Sequence, residues 1–135
     1  MSAAVWAKAG ALWLAILVFA MLNGTLREKL LVPSLGSFPA LLLSGILLSG
    51  CIFVVALLAA PWYGRLPSAQ WLALGALWLA MTLAFEFGFG RLVQHKPWAE
   101  ILEAYTFKGG NLWPAVLVVV LISPWLTAKL RALVE

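Results

Sequence analysis

Charge is what this chain lacks most. Only 10% of its 135 residues are charged, nine Lys or Arg against five acids, too few to solvate the surface of a water-soluble domain. The single cysteine, Cys51, excludes an intrachain disulfide, and its apolar run reads as the setting of a small core residue. The single histidine, His95, excludes a bis-histidine haem or a multi-histidine metal site within one chain, and its polar neighbours mark a solvated loop. Phosphate-binding loops and metal-ligand clusters are missing, so no cofactor is implied. Ser44 and Ser49 have no His or Asp at a comparable depth, which leaves no nucleophilic triad. The net charge of +4 is spread thinly between apolar segments, unlike the basic face that grips nucleic acid, so lipid headgroups are the expected anionic neighbours.

What the chain has instead is apolar length. Hydrophobic residues make up 64% of it and the mean hydropathy is +1.03. Four runs stand out, about Val5 to Leu22, Phe38 to Ala60, Trp71 to Phe89 and Leu112 to Leu126. Each approaches the roughly 20 residues needed to cross a bilayer. Lipid offers the backbone no hydrogen-bond partner, so each run is expected to be a helix. The expected fold is an all-α membrane protein, a single four-helix domain with no room for a separate soluble one. The first run resembles a signal peptide's apolar stretch but lacks a basic leader and a small-x-small cleavage site, so it reads as a retained span. Asn23-Gly24 with Pro33, then Pro61, Gly64 and Pro67, then Pro97 and Gly109-Gly110, read as the connections. Within the last, Pro97 suits the first turn of a helix, and Trp98, Ile101, Leu102 and Tyr105 recur on one stripe. That segment predicts a short interfacial helix, lying flat on the membrane or folded as a lid.

Gly10 to Ala15 and Gly75 to Ala80 both read GALWLA, and the same alignment pairs Trp6 with Trp71. The second and fourth helices both end in Pro-Trp, at Pro61-Trp62 and Pro124-Trp125. Two similar helical hairpins, 5–63 and 70–126, account for this, related by a pseudo-twofold axis along the membrane normal; chance matches in an Ala- and Leu-rich sequence are the competing explanation. Both termini and the middle loop fall on one side, with Lys8, Arg65, Lys129 and Arg131, against Arg27, Lys29, Arg91, Lys96 and Lys108 on the other. Four against five sets no orientation by the positive-inside rule. Carboxylates beside the opposite-side bases favour cytoplasmic termini. Trp6, Trp62, Trp71 and Trp125 are expected to ring the terminal side and Trp98 and Trp113 the other.

One polar cluster offers itself as a site. The first helix ends in Asn23-Gly24-Thr25-Leu26-Arg27-Glu28 and the third in FEFGFGR, Phe85 to Arg91, and both ends reach the same face. Glu86, flanked by Phe85 and Phe87 about one turn inside the boundary, is costly there unless paired or protonated. Arg27 and Arg91 are its expected counter-charges, with Glu28, Asn23 and Asn111 nearby; Asn111 also fits as a cap of the fourth helix. Such a cluster binds a proton, an ion or a small polar solute, or else only clamps two helices together. Gly88 and Gly90 favour a site, since glycines loosen a last turn where membrane proteins build binding sites. Ser44-Gly45 and Ser49-Gly50 predict close helix contacts, within the chain or between subunits.

The residues N-G-T-L-R-E (Asn23 to Glu28), F-E-F-G-F-G-R (Phe85 to Arg91), Trp98 and G-G-N-L-W-P (Gly109 to Pro114) resemble a group of small, uncharacterised four-span proteins of the bacterial inner membrane. The resemblance spans most of the chain and implies a location, not an activity. Small multidrug exporters place their key carboxylate midway along the first helix, where this chain has none, and the motifs of dual-topology fluoride channels are missing. Three functional readings remain open. The chain is a transporter or channel-like homo-oligomer with its site at Glu86, a non-catalytic subunit of a larger membrane complex, or a small enzyme acting on a lipid or quinone.

Overall fold

The computed structural model describes residues 3–103, 106 and 112–135. Helix α1 (Ala3–Leu26) runs on without a break through a widened turn, Arg27–Leu31, into α2 (Val32–Leu35). After Gly36 come α3 (Ser37–Tyr63) and α4 (Ser68–Gly88), the latter extended by a second widened turn, Phe89–Val93. A short α5 (Trp98–Glu103) precedes α6 (Trp113–Leu130). Among the described residues four helical rods are long and apolar enough to cross a membrane, Ala3–Leu35, Ser37–Tyr63, Ser68–Val93 and Trp113–Leu130. The protein is therefore a small all-α integral membrane protein built from two helical hairpins, α1 with α3 and α4 with α6.

The helices are longer than the apolar runs. Asn23, Gly24 and Pro33, read from the sequence as connection, lie inside the first rod. The low helix propensity of Asn23 and Gly24 is a small penalty beside the cost of unpaired backbone near lipid, and Pro33 falls in the first turn of α2, just after the widened turn. The connection between the first two rods shrinks to Gly36, whose φ of +87° is open to glycine and strained for other residues. At about 1.5 Å per residue the 33-residue rod is roughly 50 Å long, against a hydrocarbon core of about 30 Å. A rod that long tilts or extends beyond the hydrocarbon core.

Helix α1 packs against α3 and α4, and α6 packs against the same two. The hairpins thus lie side by side, α1 beside α4 and α3 beside α6. That arrangement replaces the expected twofold axis, which would put α1 and α4 across the bundle from each other. The Trp78 Nε1 donates to the Ala9 carbonyl and the Trp13 Nε1 to Thr82 Oγ1, both at 3.0 Å, so α1 and α4 run in the same direction. Each of these bonds spans 69 residues, whereas Gly10 and Gly75 are 65 apart. The GALWLA copies are staggered by the difference, four residues, or about 6 Å along the axis.

The interior packs in layers. Nearest the termini, Ala9, Ala60, Tyr63, Trp71, Leu74 and Ala128 form one cluster, covered by Leu66, Leu133 and Val134. Ile16, Leu48, Ile52, Trp78, Val116 and Val120 form the next. At the terminal face the loop and the chain end are stitched together, Leu66 N–H to the Leu133 carbonyl and Glu135 N–H to the Leu66 carbonyl. Two expectations fail here. Trp71 is no belt residue: it is 0% exposed, with its indole N–H on the Leu66 carbonyl, because α4 turns this face to its neighbours. Cys51 is exposed on the lipid-facing side of α3 and belongs to no core.

Candidate functional site

Past the second layer the helices separate, and the gap is an open cavity of about 730 Å³ lined by α1, α3, α4, α6 and the segment before and within α5. Its floor is the apolar layer of Ile16, Leu48, Ile52, Val116 and Val120. One wall carries an aromatic ladder along α1 and α4. Trp13 meets Phe85 edge-on at 6.2 Å, and Phe85 stacks on Phe89 at 5.2 Å. The mouth is polar, with Asn23 and Arg27 from the first rod, Glu86 from α4, and Gln94, Lys96 and Glu100 from the segment that follows.

The two widened turns shape that mouth. Val32 N–H reaches back five residues to the Arg27 carbonyl, and Gln94 N–H reaches back five to the Phe89 carbonyl. Such turns recur at functional sites because they displace side chains from the regular helical register. Here they close the two parallel helices α1 and α4 at the same face, just beyond Gly24 and just after Gly88.

Four of the six residues singled out from sequence can be placed at or beside the cavity. Asn23 and Ser44 exchange hydrogen bonds, the Asn23 Nδ2 donating to the Ser44 carbonyl at 3.2 Å and the Ser44 hydroxyl to Asn23 Oδ1. This pins α1 to α3. Arg27 donates from Nε to Glu28 at 3.1 Å and from Nη1 to Ser44 Oγ at 3.5 Å. Glu28 is exposed and stands outside the cavity lining as Arg27's partner. Glu86 is half-buried in the wall. Among the described residues it makes neither an ion pair nor a hydrogen bond, and Lys96 and Arg27 are the cations whose fields reach it.

Arg91 does not serve as a counter-charge. It stands outside the cavity lining, donates from Nη1 to the Lys96 carbonyl at 2.9 Å, and lies 5.1 Å from the Trp98 ring. Trp98 also meets Phe87 at 5.8 Å. Arg91 therefore fastens α5 to the end of α4, and that segment brings Lys96 and Glu100 to the cavity. These contacts hold the start of the short helix against the end of α4 at the cavity mouth. His95 is exposed, as its loop setting predicts, with φ at +55°. That turn folds the chain back so that Lys96 N–H reaches the Gly90 carbonyl at 2.8 Å. Asn111 lies outside the described residues.

Sequence reasoning missed Lys96, Gln94, Ser44 and Thr82 as members of this site. Ser44 was read as a packing residue, and part of that reading holds for its neighbour: a Cβ on Gly45 would come within 2.6 Å of the Leu112 side chain. Around Gly50, in contrast, nothing lies within 4 Å. The signal for Lys96 was the Pro97 after it, which starts α5 and so leaves Lys96 folded against the end of α4. No protein family, curated protein or solved structure matches the chain.

Proposed function

We propose that this protein is a small membrane carrier that takes up a solute from the face opposite its termini and holds it beside Glu86. The observation that carries this reading is the contrast along the bundle axis. A cavity the size of a small-molecule site opens at one face, while the other half is filled by Trp71, Leu74 and Trp78, all 0% exposed. A channel needs a path through both halves. A carrier needs one half open and the other shut, with a rearrangement that exchanges them. Glu86 is the binding group in this reading, with Arg27 and Lys96 as the charges it works against. Asn23 and Ser44 set the spacing of α1 and α3 at the mouth.

The reading includes homo-oligomer formation, because four helices enclose too little space for a transmembrane path. It also includes a bacterial cytoplasmic membrane with both termini inside, supported by the resemblance to four-span bacterial proteins and by the pairing of Arg27 with Glu28 on the opposite side. Its test is reconstitution into liposomes and recording of charge movement as charged solutes are added. The expected result is a solute-dependent current that Glu86→Gln abolishes. Absence of current, with constant co-purification of a larger complex that the substitution leaves intact, would assign the chain to that complex as an accessory subunit.

A further inference from the structure

We propose that the cavity selects hydrophobic organic monocations, with Glu86 as the anionic anchor and the Trp13–Phe85–Phe89 ladder as the surface for the apolar body. The inference rests on the carrier reading only in using the same cavity.

Size and wall chemistry define the kind of molecule first. About 730 Å³ lies within the roughly 300–1,000 Å³ of sites that enclose drug-sized ligands. An apolar floor below a polar mouth fits a body without charge and a single charged or polar end. A hydrated inorganic ion would leave the floor and the aromatic wall unused.

The sign of the charge follows from which lining groups are already satisfied. Among the described residues four charged side chains line the cavity, Arg27, Lys96, Glu86 and Glu100. Arg27 is ion-paired with Glu28, a residue outside the lining, at 3.1 Å, while its field still reaches Glu86. Among the described residues Arg27 and Lys96 then face Glu28, Glu86 and Glu100, two positive charges against three negative, a balance of −1. Glu86 is the most buried of the three carboxylates and has no partner among the described residues. A carboxylate in a half-buried site without a fixed counter-ion is complementary to a cation brought by the ligand. Trp13, Phe85 and Phe89 line the same cavity, and an aromatic face presented to a ligand draws positive charge. Lys96 and Arg27 are the competitors: their positive charges repel an incoming cation and would draw an anion.

A pair of probes with the same shape and opposite charge tests this directly. Purified protein in nanodiscs is titrated with tetraphenylphosphonium and with tetraphenylborate, with the signal from empty discs subtracted. Tetraphenylphosphonium is expected to bind saturably and at least about tenfold more tightly than tetraphenylborate. Glu86→Gln should weaken it by about tenfold or more, Glu86→Asp should retain most of the binding, and Lys96→Gln should tighten it. Lys96→Gln lies outside the spans and Glu86→Asp keeps the charge, so the series does not depend on one variant folding. Equal or tighter binding of tetraphenylborate overturns the inference, as does an unchanged affinity in Glu86→Gln, or a lack of saturable binding by either probe. Anion-preferring binding would leave the carrier reading standing, whereas cation binding without any charge movement in liposomes would remove the carrier reading and keep this one.

Discussion

Gly10 to Ala15 and Gly75 to Ala80 are the same six residues in two different environments. In the second copy Trp78 is 0% exposed, and a Cβ on Gly75 would stand 1.9 Å from the Leu121 carbonyl oxygen of α6. In the first copy Trp13 lines the cavity, and nothing lies within 4 Å of a Cβ on Gly10. The difference comes from neighbours, not from the hexapeptide. Helix α4 is held closely by α6, where the bare glycine lets two backbones meet, and such close approach is what binds helices together in lipid. Helix α1 meets α4 mainly through the staggered indoles, and beyond Trp13 the two diverge to leave the cavity. One copy closes the bundle and the other borders its opening.

That comparison can be broken at its indoles. Trp78→Ala removes a fully buried side chain that also holds the Ala9 carbonyl, and is expected to destabilise the fold by about 4 kcal/mol. Trp13→Ala removes a half-buried one, and its loss should be less than half as large while ligand binding in the cavity weakens. Denaturation of each variant in mixed micelles separates the two. Equal losses would mean that the copies do the same job.

The glycines sharpen the contrast with a smaller change. Gly75→Ala should cost about 3 kcal/mol, near the upper end for overpacking, because the atom it meets is backbone and cannot swing aside. Gly10→Ala has open space around it and should be neutral, or stabilising by up to about 1 kcal/mol through helix propensity. Melting temperatures of the two variants measure both effects at once.

How much of this was legible in the sequence depended on what each residue's position was asked to reveal. Four spans were readable because lipid forces any long apolar run into a helix. The Glu86 cluster was readable because a carboxylate between phenylalanines is costly wherever it faces. The rim partners were not. Arg91 and Lys96 are only five positions apart, and a single left-handed residue, His95, decides that Lys96 and not Arg91 lines the cavity. Trp71 and Cys51 were misplaced for a related reason. Their helices are apolar all round, so periodicity could not say which face meets protein and which meets lipid.

The most direct test of the account is the reach of water into each half of the bundle. In a Cys51→Ala background, Ala20→Cys places a thiol in the cavity and Leu74→Cys places one in the packed layer near the termini. A membrane-impermeant maleimide is applied to right-side-out and to inside-out vesicles. The account predicts that Ala20→Cys is labelled from one face only, the face opposite the termini, and that Leu74→Cys resists labelling from both. An Ala20→Cys thiol that stays unmodified from either side, or a Leu74→Cys thiol that reacts as readily, would contradict it.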